Sequence, residues 1–176
     1  MLTALLIEAY DELGQAAEDA DDAVSDRTDL AARWLATCRA TRAWAVTHPH
    51  DYALLYGSPV TGYAAPQDTV APATRVIIRL ATIVMAADPH PGPPVDLPFD
   101  AAVRGAAEAL AELGGPSRDD APAETVGRTL MAWSTIFGTI SFELWGHLVG
   151  SVDDHEAFFD AVAHRLWTDI TTSWQA

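Results

Sequence analysis

The sequence predicts an all-helical protein, and three observations support this fold class. Apolar residues recur at steps of three and four along most of the 176-residue chain, which is the spacing of one face of an α-helix. No segment alternates apolar and polar residues as a half-buried strand would. The densest proline and glycine stretches, residues 57–68 and 88–98, separate apolar runs and indicate loops. The length suits a single domain covering residues 1–176.

Three helices are predicted in the first half of the chain. The first covers residues 2–23 and begins without an obvious cap, directly after the initial Met. Thr28 or Asp29 is suited to cap the second helix, because their side-chain oxygens accept hydrogen bonds from free backbone N–H groups. Pro49 ends that helix, and a short helix follows from His50 to Tyr56.

The second half predicts four further helices, which cover residues 69–87, 100–113, 122–149 and 153–174. Between the first two of these lies an irregular, stiff connection with five prolines. Proline in the first turn suits the start of the long helix at residue 122. Ser151 or Asp153 is suited to cap the last helix.

The segment 122–149 is apolar on two sides, which predicts a second packing partner. One stripe contains Leu130, Trp133, Phe137, Ile140, Leu144 and Leu148, and the other contains Met131, Ser134, Gly138, Phe142, Trp145 and Val149. A surface helix of a monomer needs one apolar stripe, facing its own core. The last helix also has an apolar face wider than one core contact requires. In a chain this short, the economical partner is a second copy of the chain.

Composition excludes several classes of protein. The net charge is −15, with ten Arg, no Lys and no cluster of cations, whereas binding to a phosphate backbone needs clustered cations. Cys38 is the single cysteine, which excludes a disulfide framework and a cysteine-based zinc site. No apolar run reaches the roughly 20 residues that span a bilayer, and no secretory leader opens the chain. We expect a cytoplasmic protein with no membrane partner.

Few residues are arranged for chemistry, and we expect no enzyme, metal site or cofactor. His48 and His50 flank Pro49 at a helix end, where polar residues are common in any case. Glu143 is expected to form a structural salt bridge or to lie at a solvated edge, and Cys38 to be a small core residue. The chain contains no nucleophile elbow, phosphate-binding glycine loop or His-Glu-x-x-His motif.

Aromatic residues on the predicted inner faces are compatible with either a ligand cavity or a filled core. Tyr and Trp carry polar groups that need partners, which makes them awkward core residues. Together with Thr and Cys they suit an apolar cavity with a few polar groups, as in most small-molecule sites. The residues alone leave both alternatives open.

The whole chain resembles the C-terminal regulatory domain of TetR-family transcriptional repressors, and two segments carry the resemblance. Residues 41–63 are similar to the second-to-third helix region of one actinobacterial-type subgroup. The run 133–148 resembles that subgroup's penultimate helix, which typically carries a Trp-x-x-x-His-Gly signature. Trp133 and Gly138 match the signature, and Phe137 stands in place of the histidine.

The resemblance implies an architecture and a mechanism. The last two helices of each subunit would form a four-helix bundle in a homodimer. The helix at 2–23 would link the domain to an N-terminal helix-turn-helix that is not in this sequence and that alone would contact operator DNA. A small apolar or aromatic effector would bind among the helices and shift the linking helix, which changes the spacing of the two DNA-reading heads.

The leading hypothesis is therefore the effector-binding and dimerisation domain of a TetR-like repressor. The residues expected to line the effector cavity are Trp34, Cys38, Thr41, Tyr52, Tyr56, Trp133 and Phe137. Those expected at the dimer contact are Met131, Gly138, Phe142, Trp145, Phe159, Leu166 and Ile170. The alternatives are a ligand-free structural dimerisation module and a small-molecule enzyme on a helical scaffold.

Overall fold

The computed structural model describes residues 1–87, 100–116 and 122–171, and within these ranges the chain is helical without a strand. The helices are α1 (Leu2–Asp22), α2 (Leu30–Thr47), α3 (Pro49–Tyr56), α4 (Val70–Ala86), α5 (Asp100–Glu112), α6 (Ala123–Leu144) and α7 (His155–Thr171). A 3-10 turn, Gln67–Thr69, precedes α4. The predicted fold class is confirmed. The predicted connection 88–98 and the predicted end of the last helix at residues 172–174 lie outside the described residues.

Helix α2 lies at the centre and packs against α1, α4, α6 and α7, while α6 also packs against α7. Asp29 caps α2, since its carboxylate accepts a 2.9 Å hydrogen bond from the Ala32 N–H. The largest fully buried side chains come from six different helices, and they include Leu13, Trp34, Tyr52, Leu80, Ile136 and Phe159. One continuous core therefore joins these helices.

Helix α4 and the turn before it, Gln67–Ala86, form the one described stretch that is long and apolar enough to cross a membrane by length and composition. Six residues of α4 are buried, among them Leu80 and Ile83. The buried part of this apolar stretch packs in the protein core.

Asp21, at the end of α1, holds three helices together. Its carboxylate is fully buried and accepts hydrogen bonds from Arg33 of α2 at 2.6 and 2.9 Å. Arg79 of α4 donates at 3.0 Å, and Arg27 donates at 3.1 Å. Burial alone would raise the pKa of Asp21, but the hydrogen bonds from Arg33 and Arg27 outweigh it, so this pKa is lowered.

Gly14 allows Arg75 of α4 to lie directly across α1. The Arg75 guanidinium donates to Glu18 at 2.6 and 2.9 Å, to Asp11 at 2.9 and 3.1 Å and to Gln15 at 3.1 Å. A Cβ atom on Gly14 would lie only 2.7 Å from Cδ and 2.8 Å from Cβ of Arg75. The close approach of the two helices therefore requires glycine at this position.

We expect Gly14→Ala to destabilise the protein although alanine is the better helix former. The displaced Arg75 Cβ is close to the backbone, so α1 and α4 must separate, at an overpacking cost of about 1–3 kcal/mol. The gain in helix propensity is up to about 1 kcal/mol. Urea unfolding should show a net loss of about 1 kcal/mol, whereas the control Gly105→Ala, where an added Cβ meets no atom within 4 Å, should gain stability. Equal effects at both sites would contradict the close contact.

The long helix is shorter than predicted, because it ends at Leu144 rather than at residue 149. Gly146 has a φ of +75°, in the left-handed region. Its N–H bonds to the Glu143 carbonyl at 3.2 Å, and the His147 N–H bonds to the Phe142 carbonyl at 2.9 Å. These two bonds form a Schellman motif, which ends a helix.

The last helix begins later than predicted. Asp154, rather than Ser151 or Asp153, caps α7, because its carboxylate accepts a 2.9 Å hydrogen bond from the Ala157 N–H. The other described helix boundaries lie within about three residues of the prediction, the usual disagreement at helix ends.

Candidate ligand cavity and apolar face

The structure brings four of the seven predicted ligand residues into one aromatic cluster. Tyr56 lies 4.5 Å from Phe137 and 5.1 Å from Tyr52 between ring centroids, and Phe137 lies 5.7 Å from Trp133. Tyr10 of α1 joins the cluster edge-on at 6.1 Å from Tyr56. We call these five residues the aromatic cluster. It connects α1, α3 and α6.

Polar atoms in the aromatic cluster differ in their partners. The buried Tyr52 hydroxyl donates to the Phe137 carbonyl at 2.8 Å and lies 3.0 Å from the Ser141 hydroxyl, while burial raises the pKa of Tyr52 to about 12. Burial also raises the pKa of Tyr56 and of Tyr10 above the ordinary value. Neither of these two hydroxyls has a hydrogen-bond partner among the described residues. The indole N–H of Trp133 likewise has no hydrogen-bond partner in the described part of the chain, so the cluster has three free polar groups.

The other three predicted ligand residues lie apart from the aromatic cluster and pack as core. Trp34 packs 5.8 Å from Trp167, and its indole N–H donates to the Ala163 carbonyl at 2.9 Å. The Thr41 hydroxyl donates to the Thr37 carbonyl at 2.9 Å. The Cys38 thiol is buried, which raises its pKa far above the ordinary value. Trp34 and Thr41 already have hydrogen-bond partners inside the protein, and the Cys38 side chain is enclosed in the core.

A cavity of about 450 Å³ lies between the first turns of α1, the end of α3, the loop after it and the start of α4. Its volume falls in the range of small-molecule sites, about 300–1,000 Å³. We call it the α1 cavity, and its lining is Leu2, Leu6, Tyr10, Leu54, Leu55, Gly57, Ser58, Pro59, Val60, Tyr63, Ala65, Thr69, Val70, Ala73 and Thr74. None of the seven predicted ligand residues lines it. Tyr10 alone belongs both to its lining and to the aromatic cluster.

Sequence reasoning missed this cavity because it treated its two sides separately. The helix at 2–23 was interpreted as a linker and residues 57–68 as a connecting loop. The apolar residues Leu2 and Leu6 on one face of α1, together with Val60 and Tyr63 in a turn-rich loop, are the signal that points to it. Thr3 and Tyr63 also join the two sides, since their hydroxyls lie 3.1 Å apart.

A separate apolar surface covers the outer side of α6 and the start of α7. The exposed fractions are 54% for Met131, 53% for Phe142, 46% for Trp145 and 39% for Phe158. Gly138 lies among the α6 residues, and an added Cβ there would meet no atom within 4 Å. We call these five residues the exposed apolar face.

Two residues assigned to the dimer contact belong to the protomer's own core instead. Phe159 and Ile170 are each 1% exposed and pack in the main hydrophobic cluster, so they are not available to a second protomer. Leu166 is partly buried against the same cluster. The neighbouring Phe158, which was not predicted, takes the outward position.

The polar side chains of Glu143 and His147, near the end of α6, make contacts within the protein. Glu143 receives hydrogen bonds from Arg42 at 2.6 and 2.8 Å, which joins α2 to α6. His147 lies in the turn that ends α6, with its ring 5.1 Å from that of Phe142. Among the residues that the structure describes, no three His, Cys, Asp or Glu side chains are grouped to hold a metal ion.

Most of the chain matches one known protein family. The family described as "Tetracyclin repressor-like, C-terminal domain" matches residues 34–166. The chain belongs to this family. The resemblance predicted from residues 41–63 and 133–148 is thereby confirmed, and the chain is a domain of a TetR-family transcriptional regulator.

Similar proteins agree with this assignment. The HTH-type transcriptional regulators Rv1816 of Mycobacterium tuberculosis and Mb1846 of Mycobacterium bovis are each 34% identical over 181 residues, which covers 94% of this chain and 70% of the relative. The crystal structure of the regulatory protein SCO4313 superimposes with a TM-score of 0.71 at 27% identity, covering 94% of this chain and 71% of that one. These relatives argue against an enzyme.

Proposed function

We propose that this TetR-like domain senses a small apolar or aromatic molecule and passes the signal to a DNA-binding domain of a cytoplasmic repressor. The observation that carries the proposal is the position of the α1 cavity. Its lining comes from the first turns of α1 on one side and from residues 54–74 on the other. A ligand between them contacts both sides at once, so it favours one arrangement of α1 over another.

The contacts of α1 are strong at its end and weak at its beginning. Asp21 and Glu18 near the end receive hydrogen bonds from arginines of α2 and α4. Near the beginning, the side-chain hydrogen bond between Thr3 and Tyr63 joins two neutral groups. Charge-assisted hydrogen bonds are roughly twice as strong as neutral ones. Ligand binding is therefore expected to displace the first turns of α1 more than its end.

Dimerisation would occur through the exposed apolar face. Large exposed apolar patches mark interaction sites. Met131, Phe142 and Trp145 are exposed at the spacing of one helix face that includes the open position at Gly138, and Phe158 is exposed on α7. A two-fold dimer would bury this patch against its own copy. Two DNA-reading heads would then bind half-sites about 34 Å apart, and the effector would change that spacing.

The test is a thermal-shift screen of apolar and aromatic compounds against the protein and two variants. Ala73→Phe fills the α1 cavity, whereas Ala71→Phe adds the same ring at an exposed position of α4 outside its lining. A compound at a hundredfold excess over Kd should stabilise the protein by about 2.7 kcal/mol, or about 5–10 °C in Tm. We expect the compound to raise the Tm of Ala71→Phe as it does that of the unaltered protein, and to leave the Tm of Ala73→Phe unchanged.

The second candidate, a dimerisation module that binds no ligand, is favoured by the satisfied polar atoms of Trp34, Thr41 and Tyr52. Those residues pack as a filled core rather than around a cavity. Stable dimers whose Tm responds to no compound in the screen would support this candidate and contradict the sensor.

A further inference from the structure

Among the described residues, the lining of the α1 cavity contains no charged side chain. Tyr10 and Tyr63 are the only ionisable residues of that described lining, and burial raises the pKa of Tyr10. Arg75, from the same stretch of α4, lies in a different groove and is already bound by Glu18, Asp11 and Gln15. A carboxylate or an ammonium group buried against this lining would therefore lose water without gaining an opposite charge, which is unfavourable.

The cavity does have neutral hydrogen-bonding groups. The Tyr10 hydroxyl is without a protein partner in the described part of the chain, whereas the Tyr63 hydroxyl is paired with Thr3 at 3.1 Å. A ligand that covers the Tyr10 hydroxyl without accepting its hydrogen bond would leave a buried donor unsatisfied, which costs affinity. A ligand with a carbonyl or similar acceptor avoids that cost.

We propose that the α1 cavity takes an uncharged, largely apolar molecule whose acceptor atom receives a hydrogen bond from the Tyr10 hydroxyl. This inference rests on the proposed sensor function and adds the chemical class of the effector. It excludes carboxylates, phosphates and cationic amines as effectors at this site. The preference for uncharged ligands comes from the residues that line the cavity rather than from the net charge of the chain.

Two probes of the same ring system test the charge selection. We would titrate the full chain with 2-acetonaphthone, which is neutral and has a carbonyl, and with 2-naphthoate at pH 7.5, using isothermal calorimetry. The ketone should bind at least tenfold more tightly than the carboxylate. Tyr10→Phe removes the hydroxyl alone and should weaken ketone binding by about two- to tenfold, without lowering the Tm of the free protein.

A variant that adds a positive charge at the cavity should gain affinity for the carboxylate probe. Val60 is exposed and lines the cavity, whereas Ala64 is exposed in the same loop outside the lining. Val60→Arg supplies a cation at the cavity and should raise naphthoate affinity at least fivefold, while Ala64→Arg should leave it unchanged. This pair separates a specific effect of the cavity from the general effect of an added positive charge.

The outcomes distinguish this inference from the sensor function. Equal or tighter binding of 2-naphthoate to the unaltered protein, or unchanged ketone binding in Tyr10→Phe, would overturn the inference and leave the sensor standing. Ketone binding that persists in Ala73→Phe would overturn the assignment of the cavity itself. Binding of neither probe would also overturn the inference, and the wider screen would then decide the sensor function.

Discussion

Replacing Asp21 with Asn should lower the free energy of unfolding by about 3 kcal/mol, because it removes one partner of a buried ion pair. Arg33, whose side chain is 11% exposed, would lose the carboxylate that binds it. The side chains of Arg27 and Arg79 are more exposed to solvent, at 43% and 24%, so water can replace part of their lost interaction. In a domain of this size the loss corresponds to about 6–12 °C in Tm. Urea unfolding followed by circular dichroism measures it.

Asp22→Asn is the matched control for this variant. Asp22 is the next residue, its side chain is 62% exposed, and it lies 3.3 Å from Arg79 and 3.7 Å from Arg27. Exposed ion pairs contribute about 0–1 kcal/mol, so the control should lose less than 1 kcal/mol. If the two variants lost similar amounts, Asp21 would not have the structural role assigned to it.

The pH dependence of stability provides a second readout for Asp21. Its folded-state pKa is lowered from the ordinary value of 3.8, so its contribution is fully present above that value and is lost as pH falls toward the folded-state pKa. Glu18 and Asp160, whose pKa values are lowered chiefly by hydrogen bonds from Arg75 and Arg39, act in the same direction. The Tm should therefore fall below about pH 4, and less steeply in Asp21→Asn.

Gly138→Leu should dissociate the proposed dimer while leaving the protomer folded. Nothing within 4 Å of an added Cβ opposes the substitution inside the protomer, and leucine is a better helix former than glycine. In a dimer built on the exposed apolar face, two added side chains would meet the partner. Overpacking of about 1–3 kcal/mol at each raises the dimer Kd by at least about thirtyfold.

Sedimentation equilibrium measures this change, with Gly105→Leu as the control. Gly105 is also a helical glycine at which an added Cβ would meet no atom within 4 Å, but it lies on α5. The control should remain as dimeric as the unaltered protein. A Gly138→Leu variant with an unaltered dimer Kd would show that the exposed apolar face is not the interface.

The helical fold could be predicted from sequence because most of its signals are local. The cap at Asp29, the break at Pro49 and the apolar spacing of α4 are each determined by neighbouring residues. The predicted end of α6 at residue 149 was wrong, because Leu148 and Val149 continue the apolar spacing beyond the last helical residue, Leu144. The left-handed Gly146 ends the helix before them, and apolar spacing does not report backbone conformation.

Side-chain direction and cavities were harder to predict, because both depend on distant packing. Phe158 and Phe159 are adjacent and equally apolar, and the packing of α7 against α6 and α2 decides which one is buried. The four aromatic residues of α3 and α6 were correctly expected to point inward. The α1 cavity lies where α1, α4 and the loop fail to fill the space between them, which no single segment reveals.

The measurement that tests the central claim most directly is the distance between the two copies of α1 in the dimer, with and without a stabilising compound. Spin labels at Ala4→Cys and Ser25→Cys report the beginning of α1 and the residues just after its end, both at exposed positions. The native Cys38 is 1% exposed with a raised thiol pKa, so it should not take the label. We predict a shift of several ångström between the Ala4→Cys labels and little change between the Ser25→Cys labels. A compound that raises the Tm but leaves the Ala4→Cys distances unchanged would contradict the account.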